Sequence, residues 1–150
     1  MATKKLSDRA REWLTRLQDS GYRLTGPRRA IVQILADSEH TLSPTQVFLA
    51  ARNTDANIGL VTVYRTLDKL EELGLIQRVH ENNGCHTYIA APIGHQHLLI
   101  CQDCNRAEYF AGEDLGPLMA RLGTERGYRI NDHWLQLFGT CPDCQAKKHS

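Results

Sequence analysis

Apolar positions in the first half of the chain recur every three or four residues. Ala10, Trp13, Leu14 and Leu17 share one face of a helix that Ser7 can cap and that ends near Gly21. Thr25-Gly26-Pro27 predicts a second helix start, because proline's missing N–H costs nothing in a first turn. Ala30, Ile31, Ile34 and Leu35 form its buried stripe. Ser43-Pro44 repeats the signal, with Val47, Phe48 and Ala51 as the inner face of a third helix. A fourth runs from about Val61 to Leu73, with Val63, Leu67 and Leu70 inward and Gly74 as its stop. After Gly74 the period changes. Leu75–Glu81 and Cys85–Ala90 flank Asn82-Asn83-Gly84, a hairpin turn in which Asn and Gly tolerate positive φ.

Several helices followed by a two-stranded hairpin describe a winged helix-turn-helix over residues 1–90. Ala91-Pro92-Ile93-Gly94 reads as a hinge, 91–94, before a second domain over 95–150. There His95–Ile100, Arg106–Phe110, Tyr128–Ile130 and Trp134–Phe138 read as strands. Asp114–Arg121 reads as a helix with Pro117 in its first turn. The fold class is therefore α+β, a winged helix-turn-helix followed by an α/β domain.

Composition changes this picture little. With 41% hydrophobic and 23% charged residues the chain resembles an ordinary soluble globular protein. Its longest uninterrupted apolar stretch, Val47–Ala51, is far too short to span a membrane, and no apolar segment follows Met1–Leu6 as a secretory signal requires. The expectation is a cytoplasmic protein with reduced thiols and no membrane partner. Charge adds more. Residues 1–80 hold 12 Lys/Arg against 9 Asp/Glu, whereas 81–150 hold 6 against 8. A basic front half suits a nucleic-acid face, and Lys4, Lys5, Arg23, Arg28 and Arg29 are candidate phosphate contacts.

The strongest chemical signal is a pair of Cys-x-x-Cys motifs, Cys101/Cys104 and Cys141/Cys144, separated by Asn105 through Thr140. Two residues between thiolates let a tight turn aim both sulfurs at one ion, and tetrahedral zinc needs four such donors at about 2.3 Å. Each pair follows a predicted strand, so one structural Zn2+ would tie distant parts of the second domain together. A thiol oxidoreductase needs only one pair, placed at a helix N-terminus, and neither pair opens a convincing helix.

Histidines gather nearby. His95 and His97 are two apart, which on a strand puts them on one side, and His133 precedes the last strand. These three form the principal candidate regulatory site; His80, Cys85 and His86 in the hairpin are further donors, and His40 stands in a loop before the third helix. Imidazole with an added thiolate or carboxylate suits zinc, iron(II) or manganese. The fourth helix carries the DNA argument. If its apolar residues point inward, Thr62, Tyr64, Arg65 and Thr66 stand exposed at its start, where a recognition helix meets bases and phosphates.

Leu24-Thr25-Gly26-Pro27-Arg28, Thr62-Val63-Tyr64-Arg65-Thr66-Leu67, His95-Gln96-His97 and the two cysteine pairs together resemble the ferric uptake regulator (Fur) family of bacterial metal-dependent repressors. The likeness covers nearly the whole chain. It implies a winged-helix domain, a C-terminal α/β dimerisation domain with four-cysteine structural zinc, a homodimer, and metal-activated binding to a palindromic double-stranded operator. It also implies that Tyr64 and Arg65 contact DNA. The sensing site departs from the family's pattern. Members commonly carry a histidine three residues before the first zinc cysteine and another two residues earlier, where this chain has Leu98 and Gln96. His95, His97 and His133 fall in register with a second family site, whose usual acid falls on Gly116 with Glu113 and Asp114 close by. A common hinge-site glutamate falls on Tyr109, beside Glu108. The hinge site is then rebuilt or lost, and His80, Cys85 or His86 are the residues to rebuild it.

The expected function is a metal-responsive repressor of metal-homeostasis genes, without catalytic residues. It would carry one structural Zn2+ and a second, regulatory Zn2+ or Fe2+. Zinc is the first choice of signal, because of Cys85 and the displaced carboxylates. Iron- or peroxide-sensing is the alternative within the family. A thiol oxidoreductase, or a zinc ribbon with a static binding role, is the alternative outside it.

Overall fold

A computed structural model describes residues 5–55, 57–81, 83–112 and 114–149. Lys4, Asn82 and Glu113, named above, lie outside the described residues. The chain forms two compact units, divided between Ala91 and Pro92. No helix is long and apolar enough among the described residues to cross a membrane.

The first unit is built from α1 (Asp8–Asp19), α2 (Gly26–Asp37), α3 (Pro44–Arg52), α4 (Leu60–Glu72), β1 (Ile76–His80) and β2 (His86–Ala90). Three helices start on side-chain caps. Ser7 accepts from the Ala10 N–H and Thr25 from the Arg28 N–H, while Ser43 and Gln46 form a reciprocal capping box. Each cap contributes about 1 kcal/mol by satisfying amides that have no partner within the helix. Helix α4 starts after Gly59 with no side-chain cap among the described residues. Its other end closes at Gly74 with φ 69°, a region that only glycine enters cheaply, and Arg16 Nη2 donates to Leu73 O there. One core joins the unit: Trp13, Leu14 and Leu17 from α1, Ile31, Val32 and Leu35 from α2, Val47 from α3, Val63, Leu67 and Leu70 from α4, and Ile76, Tyr88 and Ala90 from the hairpin. Leu42 and Tyr88 exchange backbone hydrogen bonds of 2.9 and 2.8 Å, so the segment before α3 is pinned to β2.

The second unit contains β3 (His97–Cys101), β4 (Ala107–Phe110), α5 (Gly116–Arg126), β5 (Gln136–Gly139) and α6 (Pro142–Lys148). The sheet order is β4-β3-β5, antiparallel between β3 and β4 and parallel between β3 and β5, with α5 in the crossover. Leu98 and Ile100, on one face of the central strand, are buried.

Three expectations need correction here. The predicted strand at Tyr128–Ile130 does not form. Helix α5 runs on to Arg126, and the Tyr128 N–H bonds back to Gly123 O at 2.9 Å, which removes the amide a strand would use. Gly127 at φ 71° makes this cap, and a Cβ on Gly123 would come within 2.7 Å of Tyr128 O. The predicted helix Asp114–Arg121 is therefore displaced to Gly116–Arg126. Finally, the second cysteine pair does open a helix: Cys141 is the N-cap of α6 and Pro142 sits in its first turn. Asp143 near the start and Lys147 and Lys148 near the end complement the helix dipole, a signal already present in the sequence.

Candidate metal centres and nucleic-acid face

Two groups of three or more convergent metal donors occur among the described residues, both in the second unit. The first is Cys101, Cys104, Cys141 and Cys144. Cys101 ends β3, and the following turn is closed by Asn105, at φ 63°, whose N–H donates to Cys101 O. Gln102 N donates to Gly139 O, which holds this turn beside the end of β5 and hence beside the second pair. Lys148–Asp103 at 3.1 Å and Arg106–Asp143 at 3.5 Å clip the pairs together from outside, although exposed ion pairs add little.

The four sulfurs lie within 4.8 Å of one another. A tetrahedron with metal–sulfur bonds of about 2.3 Å has edges of about 3.8 Å. Cys104 Sγ and Cys141 Sγ are 3.8 Å apart. The protonation pattern also fits a cation. The Cys141 N–H donates to Cys101 Sγ at 3.3 Å and lowers the Cys101 thiol to about 6. The Cys144 thiol is pushed up to about 12 by its hydrogen bond with Cys141 and by burial. Thiols this close cannot all ionise until a cation shares their charge. Four converging thiolates are a closed zinc donor set, with no open position for substrate. A dithiol oxidoreductase would instead set one pair apart; here both pairs share one cluster.

The second group is His95, His97 and His133, whose ligating nitrogens also lie within 4.8 Å of one another. His97 opens β3, 3% exposed, against Phe110 of β4. His95 precedes the strand rather than lying in it, exposed, with its Nε2 2.9 Å from His133 Nε2. His133 reaches them because β5, which follows it, pairs parallel with β3. Gly112, at φ 64°, makes room for this arrangement, since a Cβ there would stand 2.5 Å from His97 Cδ2. Gly112→Ala should therefore displace the His97 ring and weaken metal binding at this group about 10- to 100-fold, the usual cost of disturbing a ligand's support. A metal titration with the structural zinc in place measures it, and unchanged affinity would show that His97 is not a ligand.

The other proposed donors are elsewhere. Glu108 lies in β4 as the register partner of Leu99 and joins neither group. His80 and His86 face each other across the hairpin of the first unit, with Cys85 exposed beside them. His40 is exposed and its N–H donates to Ser38 Oγ.

On α4 the inward and outward sets differ from expectation. Thr66 is buried, because its Oγ1 donates to Thr62 O at 2.7 Å and meets Tyr22 Oη. Thr62 is half-buried, whereas Tyr64 is 47% exposed and Arg65 is exposed. Val61 turns outward as well, 63% exposed, and Leu60 at the helix start is 43% exposed. Val61, two residues before Val63, falls on the side of the helix away from the core stripe of Val63, Thr66, Leu67 and Leu70, whereas Leu60 is in register with that stripe but stands in the first turn. Exposed aliphatic groups beside Tyr64 and Arg65 suit thymine methyl groups in a major groove. Arg28 is less free than expected, since Nη1 donates to Arg23 O at 2.6 Å and the guanidinium covers the Tyr22 ring at 4.2 Å. Tyr22, which the sequence reading passed over, thus links Arg28 to Thr66 on α4; its place between a helix stop and a basic run was the available signal.

A sequence profile of the ferric uptake regulator family matches residues 19–138. The ferric uptake regulation protein of Neisseria meningitidis is 34% identical over 135 residues, 89% of this chain and 94% of that protein. That of Legionella pneumophila is 35% identical over 131 residues, covering 86% and 96%. Among solved structures, a zinc-bound manganese uptake regulator superposes with a TM-score of 0.67 at 31% identity, covering 89% of this chain and 99% of its own. With both cysteine pairs converging and a winged helix-turn-helix in place, the chain belongs to the ferric uptake regulator family, whose members are metal-responsive, DNA-binding transcription regulators and not enzymes.

Proposed function

We propose that this protein is a cytoplasmic, zinc-sensing repressor that binds a palindromic operator as a homodimer when a regulatory metal occupies His95, His97 and His133. The observation that carries the reading is the convergence of these three imidazoles apart from the four cysteines. A three-imidazole set, with no carboxylate among its described members, suits zinc, and a site short of four thiolates can empty while the structural site stays filled. His95 stands a few residues after the division between the units, outside β3. Tying it to His133 would order the segment through which the second unit connects to the first, shifting the population toward the DNA-binding arrangement. Tyr64 and Arg65 then supply base contacts, with Thr62 and Arg28 beside them. Large apolar side chains left exposed in the second unit, Leu118, Leu122, Trp134, Leu137 and Phe138, support a dimer that would cover some of them. The names of the curated relatives favour iron as the second reading.

DNA-binding titrations of the zinc-loaded protein against its own promoter, with zinc, iron(II) and manganese compared, test the proposal. Alanine at His95, His97 or His133 should abolish the metal response and leave the four-cysteine zinc in place. Arg65→Ala should weaken operator binding by about 1–3 kcal/mol at unchanged metal content. A normal metal response in the histidine variants would overturn the sensor assignment.

A further inference from the structure

The end of the hairpin carries a second pair of imidazoles that the sensing site does not use. His80 and His86 are direct register partners on β1 and β2, both exposed, with ring centroids 4.9 Å apart and planes at 85°. The ladder decides how close they stand. Glu81 N donates to Cys85 O, and Ala91 N donates to Leu75 O at the other end of the same register. Hydrogen-bonded and non-hydrogen-bonded pairs alternate along an antiparallel ladder, so His80 and His86 form a non-hydrogen-bonded pair. That is the closer type, with Cα atoms about 4.5 Å apart and side chains on one face. Glu81 and Cys85, the next pair along, fall on the opposite face by strand alternation.

We infer that His80 and His86 form an independent, open bis-imidazole site for a borderline divalent cation such as Zn2+ or Ni2+. Two neutral imidazoles on adjacent strands can each give one nitrogen to a single ion, and water fills its remaining positions. No part of His95, His97 or His133 is needed, nor is the Cys85 thiolate. Chelation ties β1 to β2 beside the closing turn, so the bound ion rigidifies the tip of the wing. The closing turn is otherwise held by Glu81 N to Cys85 O, Gly84 N to Glu81 O and Cys85 N to Asn83 Oδ1.

The test uses full-length zinc-loaded protein carrying His95→Ala and His133→Ala, so that the sensing group is silent. Equilibrium dialysis against Ni2+ should then find one equivalent per chain, lost on adding His80→Ala or His86→Ala and retained on adding Cys85→Ser. Ni2+ should broaden the imidazole C–H resonances of His80 and His86 in NMR spectra and slow amide exchange in the hairpin. Both histidines are exposed, so the alanine variants should keep the parent's thermal stability, which excludes misfolding as the cause. No nickel uptake in the silenced background would overturn the inference. An equivalent that survives loss of both His80 and His86, or that disappears with Cys85→Ser, would overturn it too.

Discussion

Stripping zinc from the four cysteines, by chelation or by Cys104→Ser, is expected to unfold the second unit and leave the first one folded. The contrast between the two cores gives the reason. Nineteen buried residues form one apolar cluster in the first unit. In the second, the buried apolar residues among those described are Leu98, Ile100, Cys101 and Cys144, and half of these are proposed ligands. Structural zinc contributes on the order of 10 kcal/mol to small modules, which is comparable to the whole stability of a domain. Without the ion, the turn after β3 and the start of α6 lose their shared anchor, and α6, at seven residues, cannot persist alone. The dimer should dissociate with it, because its exposed apolar residues lie on the elements that unfold. Amide exchange measured across the full chain separates the two units; protection persisting in β3, β4 and β5 after zinc removal would refute the prediction.

Leu67→Ala should produce the opposite pattern. Leu67 is fully buried on α4, facing the core shared with α2 and α3. Leucine-to-alanine at such a site costs about 2–5 kcal/mol, through lost transfer energy and the cavity left behind. The first unit should therefore melt at markedly lower denaturant, and operator binding should fall because α4 also carries Tyr64 and Arg65. Zinc stoichiometry at the cysteines should not change. Val61→Ala, on the outward side of the same helix and 63% exposed, is the control: its stability effect should stay within about 0.5 kcal/mol. If the two substitutions destabilise equally, the inward assignment of α4 is wrong.

Much of the first unit was legible because its signals are local. Ser7, Thr25 and Ser43 cap the helices they were expected to cap, and the 3.6-residue stripes became the core. The errors came where a local pattern had two readings. Tyr128-Arg129-Ile130 alternates like a strand, but the cap at Gly127 claims its first amide. Thr66 looks like a surface residue until its hydroxyl finds Thr62 O and the side chain is buried.

The amino-acid sequence by itself determined the element order of the winged domain, the four-cysteine ligand set and the family, because capping, periodicity and Cys-x-x-Cys spacing act over a few residues. Tertiary structure decided how distant donors meet. His133 stands 36 residues beyond His97, and only the parallel pairing of β3 with β5 brings the two together. The same holds for His80 and His86, whose approach depends on ladder register, and for Tyr22, which touches α4 only once the helices pack. Contacts between distant segments follow from register and packing, which no short window of sequence encodes.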